Sequence, residues 1–219
     1  MNQCNTSWNQ FPDLISTTPF DINIFKKYCT TNSFIIDVGC GYGRVCKTLE
    51  ENGYKKITGV DSSHNLLQRA IQQLSHTNLL EADALKLPLK DLTFNHAISF
   101  GLINCLIKKK QANKLITEIN RIIKAGGYWF INEYTRNDSP YFEKKYEDGY
   151  RIYKTKRVFK SDNNITFRHY SIAEIIDMID PFFDLIYCER KELLSMHQTR
   201  KVAGYSLILK KITFESKYR

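Results

Sequence analysis

An α/β fold built on a doubly wound, parallel sheet follows from three observations on the 219-residue sequence. Short apolar runs alternate with longer amphipathic segments from Ser33 onward, as in consecutive βαβ units. A run of glycines stands at the end of the first apolar run, where an open parallel sheet places its ligand crevice. Acidic residues then close the second and third runs.

The elements read in order. Phe34-Ile35-Ile36-Asp37-Val38 is a buried strand, and Arg44 to Asn52 a helix ended by Gly53. Lys56 to Val60 is the second strand; Ser63 caps a helix running through Ile71 to Leu74, since a serine hydroxyl satisfies a free N–H of the first turn. Asn78-Leu79-Leu80 and Phe94 to Phe100 are strands three and four. Lys109 to Ile123 carries Leu115, Ile116, Ile119, Ile122 and Ile123 at helical spacing. Ala125-Gly126-Gly127 is expected to stop that helix, with Tyr128 to Ile131 as strand five. Residues 135–164 are polar, ring-rich (Tyr141, Phe142, Tyr146, Tyr150, Tyr153, Phe159) and basic from Arg151 to Lys160; they read as an insertion over the carboxyl ends of the strands. A helix from Ser171 to Ile179 and strands Phe183 to Glu189 and Gly204 to Lys210 complete the pattern. One domain over residues 1–219 is expected, with a lid at 135–170.

Composition narrows the function. Hydrophobic residues at 42% and charged residues at 25% exclude a disordered chain. Apolar runs fall short of the roughly 20 residues of a membrane span. The start Met1-Asn2-Gln3-Cys4 has no basic or apolar leader, so a cytoplasmic protein is expected. The 6 cysteines are scattered without a two-residue gap between any pair, which points to a reducing compartment and to no metal site. The net charge of +9 fits an anionic small molecule or RNA, or plain solubility charge.

The chemistry concentrates at Asp37-Val38-Gly39-Cys40-Gly41-Tyr42-Gly43. Glycines between strand and helix let backbone approach a ligand, where a side chain blocks it. The third glycine follows the second by two residues, not the three of the dinucleotide fingerprint, which disfavours a nicotinamide cofactor. Asp61 at the end of strand two suits two ribose hydroxyls, and Asp83 after strand three suits an adenine amine. Each has a structural alternative: a ligand-free turn for the glycines, a helix cap for Asp61, a turn carboxylate for Asp83.

On these residues the chain, over roughly residues 33–211, resembles the class I S-adenosylmethionine-dependent methyltransferases, especially the small-molecule group related to quinone biosynthesis. Val60-Asp61, Glu81-Ala82-Asp83-Ala84 and Leu87-Pro88 extend the likeness; Phe94-Asn95 departs from the usual Phe-Asp. Ser99 to Asn104 lacks the Asn-Pro-Pro-Tyr of enzymes acting on nucleobase amines. The resemblance implies a Rossmann-like, mostly parallel seven-stranded sheet with an antiparallel last strand. It implies S-adenosylmethionine as cofactor, Gly39 and Gly41 at its methionine end, Asp61 on the ribose and Asp83 near the base. Asp37, Cys40, Gly43, Ser62, Ala84 and Phe100 complete the expected cofactor set.

Transfer from a sulfonium needs chiefly a well-placed acceptor. Candidate proton-handling residues are His169 and Tyr134, then Glu133, and Arg168 is a candidate partner for an acceptor carboxylate or phosphate. A small-molecule acceptor is expected. RNA is the alternative, because Arg151, Lys154, Lys156, Arg157 and Lys160 alternate with Tyr153 and Phe159; so is a cofactor-binding protein without catalysis.

Overall fold

The computed structural model describes residues 19–162, 164–194 and 201–213. Its main sheet has seven strands: β1 (Ile35–Val38), β2 (Ile57–Asp61), β3 (Asn78–Glu81), β4 (Phe94–Phe100), β5 (Ile123–Tyr134), β8 (Phe183–Leu194) and β9 (Lys201–Lys211). They lie in the order β3-β2-β1-β4-β5-β9-β8. Strands β1 to β5 are mutually parallel, while β9 runs antiparallel between β5 and β8. The last strand in sequence is thus the antiparallel one. Order reverses at β1, with β2 on one side and β4 on the other, which makes the carboxyl end of β1 the crevice of the sheet.

Each face of the sheet has its own core because alternate strand residues point oppositely. Ile35, Ile98 and Phe130 pack with Phe25 of α1 (Ile22–Lys26), Leu49 of α2 (Arg44–Glu51) and Leu67 of α3 (His64–Ile71). Ile36, Ala97, Trp129 and Ile131 pack with Leu115 and Ile119 of α4 (Lys109–Ile122) and Ile175 of α6 (Ile172–Ile179). Local chemistry sets the helix starts: Ser63 accepts the N–H of Leu66, and Ser171 forms a reciprocal box with Glu174.

One boundary differs from the sequence expectation. Helix α4 already ends at Ile122 and β5 begins at Ile123, so Gly126 and Gly127 lie inside the strand rather than stopping the helix. Gly126 has φ +73°, and a Cβ on Gly127 would stand 2.3 Å from the carbonyl oxygen of Asn95. The glycines allow the irregular pairing between Phe94 and His96 and β5.

After β5 come α5 (Pro140–Tyr153) and a hairpin of β6 (Val158–Lys160) and β7 (Thr166–Arg168). A third core holds them together, with Phe142, Tyr146, Phe159, Ile165 and Phe167 packed against Val202 of β9. No helix among the described residues is long and apolar enough to cross a membrane.

Candidate active site

A cleft of about 800 Å³ opens at the carboxyl ends of β1, β2, β3 and β4. Gly39 and Gly41 adopt φ +78° and +56°, a region costly for residues with a Cβ. At Gly41 a Cβ would meet only Leu66 at 4.0 Å, and at Gly101 nothing within 4 Å; both positions face open cleft. The loop is tied back by Gly39 N–H to the Val60 carbonyl at 2.7 Å and by Gly41 N–H to Oδ2 of Asp61 at 2.9 Å. Oδ1 of Asp61 accepts the Ser63 N–H at 2.9 Å. The Ser62 N–H is a third backbone donor to this carboxylate; with about four acceptor sites, Asp61 can brace the loop and still receive a ligand hydroxyl. Burial raises its pKa, against the lowering effect of these backbone donors.

Asp37 lies fully buried beneath the loop, where desolvation raises its pKa to about 7. The Cys46 thiol, 3.5 Å from Oδ2, and the Arg44 guanidinium oppose that rise. Asp83 caps its own turn by accepting the Leu85 N–H at 2.9 Å.

Of the residues expected on the cofactor, Asp37, Gly39, Cys40, Gly41, Asp61, Ser62, Asp83, Ala84 and Phe100 line the cleft. Gly43 does not. With φ +87° it starts α2, and a Cβ there would stand 2.6 Å from Cδ1 of Leu74; its role is tight packing of loop on helix.

The remainder of the cleft is built by the turn after β4, by β5 and by the lid, with Leu102, Asn104, Cys105, Ile107, Tyr134, Tyr153, Thr155 and Phe167. Tyr134 lines it, and its hydroxyl donates to the Leu194 carbonyl at 3.0 Å. Burial pushes its pKa up to about 12, which makes it a poor base at neutral pH.

His169 lies outside the cleft lining, contrary to the expectation for a proton-handling residue. Its Nδ1 is 2.7 Å from the Tyr146 hydroxyl, inside a cage of Phe142 and Phe159 rings. The Tyr146 hydroxyl also receives the Asn137 N–H. Desolvation holds the imidazole pKa down to about 3.

Glu133 is likewise enclosed, its carboxylate taking the N–H groups of Ile103 and Asn104. Desolvation raises its pKa to about 8, against the lowering effect of those bonds. Arg168 donates to the Ile107 carbonyl at 3.1 Å and to Glu174 at 3.1 Å, so its guanidinium anchors the lid rather than entering the cleft.

Residues 36–131 match the family described as a methyltransferase domain. The chain is 25% identical over 122 residues to the ubiquinone/menaquinone biosynthesis C-methyltransferase of Campylobacter jejuni, covering 52% of this chain and 50% of that protein. It is 31% identical over 118 residues to the demethylmenaquinone methyltransferase of Staphylococcus haemolyticus, covering 51% and 48%. Its fold matches the crystal structure of a Methanosarcina mazei S-adenosylmethionine-dependent methyltransferase with a TM-score of 0.80, at 23% identity, over 86% of this chain and 97% of that one.

Over residues 36–131 the chain resembles the methyltransferase-domain family, and its fold is that of class I S-adenosylmethionine-dependent methyltransferases.

It spans about half the length of the curated relatives it matches. The cofactor of such methyltransferases is S-adenosylmethionine, and the lining is compatible with it: backbone is open at Gly41 and Gly101, and Asp61 and Asp83 offer carboxylate acceptors. Sequence reading missed Arg44, Leu102, Asn104 and Cys105 as cleft residues. Arg44 was signalled by its place directly after the last loop glycine, and the other three by following β4 at the crevice of a parallel sheet.

Proposed function

We propose that this methyltransferase transfers a methyl group from S-adenosylmethionine to a small-molecule acceptor enclosed by the 135–170 lid, within a single domain. The observation that carries this reading is one continuous cleft: the glycine loop, Asp61 and Asp83 share it with Tyr134, Tyr153, Thr155 and Phe167. Its size lies near the upper end of the roughly 300–1,000 Å³ of small-ligand sites, as two adjacent molecules require.

Bound S-adenosylmethionine supplies an already activated methyl group. The protein's task is therefore to hold the acceptor in line and exclude water. Asn104 ties the acceptor side together: its Nδ2 donates to the Tyr134 and Arg168 carbonyls, each at 2.9 Å, and its Oδ1 accepts the Tyr134 N–H at 2.9 Å. Tyr134 and Phe167 present rings to the acceptor. His169 and Tyr146 keep the lid closed from behind and move no proton.

RNA is disfavoured as the acceptor by the rings that interleave the basic run. Phe159 is only 5% exposed and packs inward, leaving its ring unavailable to stack on bases.

Calorimetry with S-adenosylhomocysteine and with NAD tests the reading. Binding of the first and none of the second is expected; the reverse would overturn it.

A further inference from the structure

One wall of the cleft carries positive charge that the methyl donor does not call for. Lys108, Lys110 and Lys114 all line it, with Gln111 between them. Lys110 and Lys114 are one turn apart on α4, away from the face that buries Ala112, Leu115 and Ile116. The lid contributes Tyr153, Thr155 and Phe167 to the same cavity.

Two features set these lysines apart from ordinary surface cations. Arg121, Arg157, Arg168, Lys145 and Lys201 each reach a carboxylate within 4.0 Å. Among the described residues, none of the three cleft lysines forms such a pair. Lys108 and Lys110 also stand at the start of a helix that has no acidic residue in its first turn, where the helix dipole opposes both; Lys114, in the second turn, has Glu118 one turn further along the helix. All three stand exposed at the rim of the cavity that they line.

The donor gives that charge no partner. S-adenosylmethionine has a sulfonium and an ammonium against one carboxylate, and Arg44, beside Asp37, already supplies a cation next to the glycine loop. Three further cations in the same cavity repel the donor unless a second bound molecule brings negative charge.

We propose that the methyl acceptor is an acidic, ring-containing small molecule whose carboxylate or phosphate group is held by Lys108, Lys110 and Lys114, with its planar body against Tyr134, Tyr153 and Phe167. This rests on the small-molecule reading above. Lysine ammonium groups suit either anion as mobile point charges, and the aromatic and apolar lining suits a conjugated body.

The test uses the protein saturated with S-adenosylhomocysteine and three probes sharing one ring system: 2-naphthoate, 2-naphthyl phosphate and the neutral 2-naphthamide. Affinities are measured by calorimetry at low ionic strength. At least one anion should bind about tenfold or more tighter than the amide, and the tighter anion names the acid group. In the Lys108→Gln/Lys110→Gln/Lys114→Gln variant that preference should collapse to roughly twofold. A charge-matched control, Lys144→Gln/Lys154→Gln/Lys156→Gln on the exposed lid surface, should retain it. Equal binding of acids and amide, or a preference that survives in the first variant, overturns the proposal. Failure of S-adenosylhomocysteine to bind at all would instead overturn the function on which it rests.

Discussion

Oε1 of Glu133 accepts the backbone N–H of Ile103 at 2.8 Å. Through this bond and the one from Asn104 at 3.2 Å, the end of β5 holds the turn that brings Leu102, Asn104 and Cys105 into the cleft. Glu133→Ala strands these donors in the interior, where each unmet group costs about 1–3 kcal/mol. A stability loss of about 3 kcal/mol in urea denaturation is expected, with methyl transfer impaired more than S-adenosylhomocysteine binding. Wild-type stability in the variant would show that the turn is held by other contacts.

His169 should make folding sensitive to acid. Its pKa is about 3 in the folded protein against an ordinary 6.5, so the unfolded chain takes up the proton first. The stability of the neutral, caged ring is complete above pH 6.5 and is lost as pH falls, by about 1.4 kcal/mol per unit. In His169→Asn, which keeps a polar partner for Tyr146, the stability curve below that pH should be shallower by this amount. Parallel curves for the two proteins would contradict a buried neutral histidine.

Asp61 braces the glycine loop and, on the proposed function, also holds the ligand. Asp61→Ala should weaken S-adenosylhomocysteine binding by about 1.5–3 kcal/mol, the range for a hydrogen bond to a charged group. Calorimetry checks this, and an unchanged affinity would place the ribose elsewhere.

Gly149 sets the seat of the lid. It lies within α5, where a Cβ would stand 1.8 Å from the Val158 carbonyl oxygen. Alanine favours a helix by about 1 kcal/mol over glycine, yet here the backbone of β6 must retreat, at a cost of about 1–3 kcal/mol. Gly149→Ala is therefore expected to lower stability and acceptor turnover while S-adenosylhomocysteine binding holds. A more stable, fully active variant would show that α5 and β6 separate freely.

The central sheet was legible because its signals are local. Ile35 to Val38 form a short buried run, and Gly39, Gly41 and Asp61 mark the ends of successive strands. Chain-distant contacts were not legible. Gly126 and Gly127 resemble a helix stop, and only the approach of Asn95 in the neighbouring strand reveals their place in β5. His169 stands in a polar sequence segment, yet Phe142, Tyr146 and Phe159 from two other elements enclose it. A histidine beside the cleft and one sealed behind it have the same sequence neighbours. Helix α5 escaped notice because its buried residues, Phe142, Tyr146 and Gly149, face a small lid core instead of the sheet.

The most direct test of methyl transfer to a small molecule is to incubate the protein with a metabolite extract, total RNA and protein from the same lysate, using S-adenosylmethionine labelled in its methyl group, and then to separate the three fractions. The label is expected in the small-molecule fraction, and to disappear from it with Asp61→Ala at limiting S-adenosylmethionine. Label confined to RNA or protein, or none in any fraction while S-adenosylhomocysteine still binds, would contradict it.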